Sequence, residues 1–277
     1  MKELGIRNYE LGIKKVMKTI ILKLSGKALS AFIQDEKWSN TLAQLYKHYD
    51  GIIIVHGAGN TISDWSNKME CDVKFVNGQR VTSAEIMDIV AAVQAGLLNQ
   101  KIISYLHAKG LEAMGLSGVD RNLFVADYLN KDLGFVGYPK LTGNIKWVKN
   151  LLEEKVIPVF SSVCRDHDGN LMNVNADVFC EVLAASIKAD TVLFLSDVAG
   201  VMLNGEVKSS LDEKEIDLGI EQGEITGGMI PKMQSCLELL QKGINKIWIG
   251  DDVEIQPHAD FYNTKMKGTW ITANGTA

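Results

Sequence analysis

The chain has 277 residues, 46% hydrophobic and 23% charged, enough to bury a sizeable core beneath an ordinary solvated surface. Its net charge of -5 repels nucleic acid and anionic membrane alike, which excludes nonspecific binding to either. Cys71, Cys164, Cys180 and Cys236 form no C-x-x-C pair and have no histidine at metal-ligand spacing, so a disulfide framework or a structural zinc site is not expected. No apolar run approaches the roughly 20 residues of a membrane span, and charges interrupt residues 1–17 throughout. A soluble cytoplasmic protein with no membrane or nucleic-acid partner is expected, residues 1–17 being a short extension ahead of one domain over 18–277.

From position 19 onward, short β-rich apolar runs alternate with helical patterns. Thr19–Leu24 and Gly51–Val55 read as strands around a helix at about 38–48, and a second helix follows at 61–69. A long helix over 83–108 carries Ile86, Ile89, Val90, Val93 and Leu97 at helical spacing. Its length suits contact with a second subunit and equally an intramolecular contact; a homodimer is expected. Segments 122–137 and 163–174 contain polar turns and read as hairpins decorating a sheet. Strands at Val156–Phe160, Thr191–Leu195 and Lys246–Ile249 interleave with helices at 144–154, 175–188 and 228–242. The strands are continuously apolar, as required when helices cover both sheet faces, so the expected fold is α/β: a three-layer αβα sandwich on a mainly parallel central sheet.

Four polar or glycine-rich segments fall at strand ends, where open α/β sheets bind ligands. Lys23 interrupts an apolar strand just before Ser25-Gly26; its amine must reach solvent or an anion. His56-Gly57-Ala58-Gly59-Asn60 joins a strand to a helix through small residues that let backbone N–H groups approach an anion, although an ordinary turn reads the same way. Ile62 stands where the third glycine of a dinucleotide fingerprint belongs, and there is no Walker A sequence. Asn173-Val-Asn-Ala-Asp177 enters a helix; one of its polar residues suffices as a cap, and three are present. Thr226-Gly-Gly-Met-Ile-Pro-Lys232 opens the 228–242 helix, with Ile230, Met233, Leu237 and Leu240 on the expected core face and Lys232 about 200° around from Ile230. Lys232 there is either a solvated surface lysine or, given the glycine pair, part of a phosphate-facing helix start.

Taken together with Asn77-Gly-Gln-Arg-Val-Thr82, Gly115-Leu-Ser-Gly118 and Ser196-Asp-Val-Ala-Gly200, these segments resemble the amino acid kinase family over about residues 18–272. The resemblance implies that family's fold, with an amino-acid lobe near 18–174 and a nucleotide lobe near 175–277. Within the family it points to members that use ATP, with Mg²⁺ carried on the nucleotide and no protein metal ligand, to phosphorylate the γ-carboxylate of N-acetyl-L-glutamate, a step of arginine biosynthesis. Other N-acylated acidic substrates (N-succinylglutamate, N-acetyl-aminoadipate) and a noncatalytic sensor are the alternatives. By the same resemblance, Lys23 and Lys232 neutralise charge on the transferring group and Asp177 orients them. Arg80 grips the substrate's α-carboxylate, joined by Asn173 and the Ala58–Gly59 backbone. Gly26 and Gly57 face phosphates, and Asp197, Val198, Gly200, Ile225 and Thr226 form the nucleotide pocket. Ser25 and Ala58 stand where the family's turns usually carry glycine, and the Ala58 methyl is expected to bear on the acyl group. The chemistry agrees: a carboxylate is already an ionised nucleophile at neutral pH, so no base is needed and His56 belongs to the turn's architecture.

Overall fold

The structure, a computed structural model, describes residues 17–253 and 266–273; the N-terminal extension, apart from Met17, lies outside them. Among the described residues the main sheet has eight strands: β1 (Thr19–Leu24), β2 (Gly51–His56), β3 (Ala113–Leu116), β4 (Ile157–Ser161), β5 (Thr191–Leu195), β6 (Ser210–Leu211), β7 (Ile247–Gly250) and β8 (Thr269–Ile271). Their spatial order is β6-β8-β7-β5-β1-β2-β4-β3, parallel except where β8 runs antiparallel to β7. β1 lies between β2 and β5, with Lys23 level with Val55 on one side and Phe194 on the other.

The helices are α1 (Gly26–Gln34), α2 (Lys37–His48), α3 (Gly59–Lys68), α4 (Ala84–Ala108), α5 (Lys146–Glu153), α6 (Ala176–Ile187), α7 (Glu213–Glu221) and α8 (Met229–Gln241). They form two layers with separate cores. Ile20, Leu22 and Leu24 of β1 pack with Leu29, Leu42, Ile62 and Val90 of α1–α4. Ile21 packs with Leu152, Phe179, Ile216 and Met233 of α5–α8 on the other face. This alternation is the two-residue period of a strand buried on both sides.

α4 runs unbroken for 25 residues and is capped at its start by Ser83, whose hydroxyl accepts the Ile86 N–H at 3.3 Å. With 25 residues and a mean hydropathy of 1.3 over its most apolar 18-residue window, it is long and apolar enough to cross a membrane, which the sequence reading did not anticipate; half of that window is buried inside the protein. Residues Ala91–Leu98 are wound as a π-helix, a form that clusters at functional sites.

The two expected hairpins form, but they do more than decorate. Phe124–Tyr128 pairs antiparallel with Val136–Leu141, and Val163–Arg165 with Leu171–Val174; parallel pairing between them closes a small four-stranded barrel. Helices α1 and α7 were not expected. α7 is announced by a capping box in which Asp212 and Glu215 each accept the other's backbone N–H at 2.9 Å. The core stripe of α8 is also rotated from expectation: Lys232, Met233, Ser235, Cys236 and Leu239 are buried, and Ile230, Leu237 and Leu240 only partly.

Candidate active site

Lys23 occupies the α6–α8 face of β1, one residue from the strand's end, and is 6% exposed. Its ammonium lies 2.6 Å from Asp177 Oδ1. Asp177 sits in the first turn of α6, where the Asn175 side chain caps the helix by accepting the Asp177 N–H at 2.8 Å. Lys232, in the first turn of α8, donates to Asp177 Oδ2 at 2.8 Å and lies 5.3 Å above the Phe194 ring. One carboxylate at a helix start thus bridges two buried ammoniums, one from a central strand and one from a second helix start.

Burial alone would raise the Asp177 pKa, but the Lys23 and Lys232 charges and their hydrogen bonds outweigh it and hold the carboxyl well below the usual range. Burial pulls the Lys23 pKa down; Asp177 opposes this and Lys232 adds to it. The cluster carries a net positive charge, because one carboxylate cannot cancel two ammoniums. Buried Cys180 and Cys236 lie alongside, their thiols pushed up by burial and so kept neutral.

A second group assembles at the end of β2. Asn77 and Gly78, at φ 49° and 76°, make the tight two-residue turn that joins Phe75–Val76 to Gln79–Arg80 and delivers Arg80. Arg80 is 7% exposed and stacks on Phe75 at 4.7 Å. Its Nη2 donates to Gly59 O and Ser63 Oγ, both at 2.8 Å, while Nη1 is buried with no partner among the described residues. An orphaned N–H on a buried cation is costly unless an anion meets it. Asn173, on the barrel strand Leu171–Val174, donates to Thr82 Oγ1 at 3.0 Å, and Thr82 donates to Arg80 O at 2.9 Å.

In the turn itself, Gly57 N–H donates to Leu24 O at 3.2 Å, so this amide, expected to face phosphate, is committed within the sheet edge. Ala58, at φ -151° and 5% exposed, belongs to the α1–α4 core. A negative φ needs no glycine, so alanine is accommodated here without backbone strain. Gly26 and Gly59 open α1 and α3, where N–H groups lack intrahelical acceptors. His56 is fully buried; desolvation, with Lys23 nearby, draws its pKa down to about 4 although the Gly57 carbonyl favours the charged form.

The remaining positions divide. Asp197 and Val198 are exposed beyond β5, and Ser25 Oγ donates to Asp197 Oδ1 at 3.1 Å. Thr226 is exposed, and a side chain at Gly227 or Gly228 would meet nothing within 4 Å. Ile225 is 2% exposed in the core, its N–H bonded to Gly219 O. Gly200 is buried where a side chain would strike Val207 and Thr269. Sequence reasoning missed Gln94, Asn99 and Ser162, which support the β2 turn from behind; no pattern in the sequence marks them.

Two ammoniums around one carboxylate, together with a guanidinium N–H that has no partner among the described residues, form a cationic cluster at the strand ends of a parallel sheet. The sequence profile described as "Amino acid kinase family" matches residues 18–251. Acetylglutamate kinase from Clostridioides difficile (strain 630) is 36% identical over 239 residues, covering 84% of this chain and 83% of that protein. Acetylglutamate kinase from a Nitratiruptor species is 36% identical over 268 residues, covering 94% of this chain and 93% of that protein. The crystal structure of smu.665 from Streptococcus mutans UA159 superposes with a TM-score of 0.77 at 29% identity, covering 92% of this chain and 99% of that one. The chain belongs to the amino acid kinase family.

Proposed function

We propose that this protein transfers the γ-phosphoryl group of ATP to the side-chain carboxylate of N-acetyl-L-glutamate, giving N-acetyl-L-glutamyl 5-phosphate in arginine biosynthesis. Relatives with that activity in their names, matching nearly the whole chain, support the substrate. The observation that carries the mechanism is the Lys23–Asp177–Lys232 bridge.

The acceptor carboxylate is ionised and needs no base. The barrier lies in bringing it against a polyanion, and the two buried ammoniums act there, each keeping N–H donors beyond its Asp177 contact. Asp177 holds both ammoniums in place before either substrate arrives. Arg80 would take the α-carboxylate on its free Nη1, with Asn173 alongside, and the Ala58–Gly59 amides and Gly26 would face the oxygens between the substrates. Asp197, Val198 and Thr226 would border the nucleotide. Among the described residues no cluster of three or more His, Cys, Asp or Glu side chains is placed to hold a metal. Mg²⁺ would arrive on ATP and screen its phosphate charge. We read the enzyme as a cytoplasmic homodimer whose amino-acid lobe ends near residue 174; sedimentation equilibrium checks the dimer.

Incubating the protein with ATP, Mg²⁺ and N-acetyl-L-glutamate in hydroxylamine is expected to yield a hydroxamate from the acyl phosphate. No hydroxamate would overturn the reading. Arg80→Lys keeps the charge but loses the planar fork. It is expected to raise the amino-acid KM on the order of 10- to 100-fold with a far smaller change in kcat. Initial-rate kinetics showing an unchanged KM would remove Arg80 from the α-carboxylate.

A further inference from the structure

The turn after β2 is held from behind by a buried polar chain of side chains from α4 and β4's neighbour Ser162. Asn99, 2% exposed in α4, donates through Nδ2 to Val159 O at 2.9 Å, and its Nδ2 also lies 3.1 Å from His56 Nε2. The Val159 carbonyl can only accept, so the nitrogen of the Asn99 amide must be the atom facing it, and that nitrogen has its second N–H for His56. His56 Nε2 is therefore an acceptor, and the ring proton sits on Nδ1. Nδ1 lies 3.3 Å from Gly57 O, in place to donate to it. Gln94, also 2% exposed and in the π-helical part of α4, donates to His56 O at 3.0 Å and to Ser162 Oγ at 2.8 Å.

With these bonds every carbonyl of the turn is engaged. His56 O takes Gln94, Gly57 O takes the His56 ring, Ala58 O takes Ile62 N–H at 2.9 Å, and Gly59 O takes Arg80. In a trans peptide the C=O and the next N–H point opposite ways. Fixing Gly57 O against the buried His56 ring therefore turns the Ala58 N–H away from α4.

We propose that Asn99 and Gln94 are positioning residues that act through His56: Asn99 selects the Nδ1–H tautomer, which holds the Gly57–Ala58 peptide with its N–H toward the transferring phosphoryl group. Without that tautomer the peptide is free to flip and present a carbonyl oxygen to an anion. The inference rests on the phosphoryl-transfer reading for its catalytic consequence, but not for the tautomer.

Two measurements test it. In the full-length protein with ¹⁵N-labelled histidine, a long-range ¹H–¹⁵N correlation is expected to show His56 protonated at Nδ1 and bare at Nε2; a proton on Nε2 overturns the proposal whatever the activity. His56→Asn places an amide donor near the Nδ1 position and His56→Gln places one near Nε2. The Asn variant is expected to keep kcat within about tenfold and the Gln variant to lose on the order of 100-fold, with nucleotide KM little changed in either. Equal losses in two folded variants would overturn it, and if neither folds the tautomer decides. A wild-type protein with the expected tautomer but no hydroxamate would refute the phosphoryl-transfer reading alone.

Discussion

Lys232→Ala is expected to lower kcat on the order of 10²- to 10³-fold while moving the amino-acid KM by less than about tenfold. Lys232 is 7% exposed and fixed by Asp177 at 2.8 Å, so its charge is preorganised where water cannot screen it. Negative charge at the acceptor oxygen and the leaving phosphate is most crowded midway through transfer, which is when this ammonium is worth most. The Arg80 side of the site is untouched, so ground-state affinity for the amino acid should survive. Steady-state kinetics with both substrates varied provide the measurement, and an unchanged kcat would remove Lys232 from the reaction.

Asp177→Asn should be the more damaging change, because it strikes stability and catalysis together. The amide keeps the shape but leaves Lys23 and Lys232 buried with no counter-charge, and breaking a buried ion pair costs about 3–5 kcal/mol. A urea midpoint equal to wild type would contradict this account. The pH dependence follows from the directions of the shifts. Asp177 is held below its unfolded value of about 3.9, so its stabilisation is complete above that pH and is lost as pH falls toward the folded value. Lys23 is held below its unfolded value of about 10.4, so between the folded and unfolded values the unfolded chain binds more protons and stability rises with pH. In the variant Lys23 loses the attraction that opposes desolvation. Its deficit in stability should therefore shrink as pH rises from 6 to 9. The alkaline limb of kcat/KM for the nucleotide is expected below the ordinary lysine value in wild type and lower still in the variant.

The central strands were legible because burial on both faces writes an unbroken apolar run, as in Gly51–Val55. The edge strand β3 was not, since Ala-Met-Gly-Leu lacks β-branched residues and is only partly buried. Helix α1 was hidden by its start: Ser25-Gly26 reads as a turn, and the spacing of Ala28, Leu29 and Phe32 is too short to outweigh it. At the site, Lys23 stood out as a charge interrupting an apolar strand, and Asp177 as part of a polar helix start with more polar residues than one cap requires. The facing of Lys232 did not, because a first-turn lysine opposite an apolar stripe looks solvated until tertiary packing turns it inward. Asn99 and Gln94 were invisible for a related reason: a hydrogen-bonded amide in a core has no sequence pattern of its own.

Lys23 shares its face of β1 with Ile21 and turns its back on Leu22 and Leu24. A slip of one residue against β2 and β5 would carry the ammonium about 3.3 Å along the strand and, more seriously, onto the opposite face. A chain folded with that error would keep its helices and its parallel sheet and still be inert, not merely slow. Turnover after refolding is therefore a count of molecules in the correct register, a quantity that circular dichroism cannot resolve.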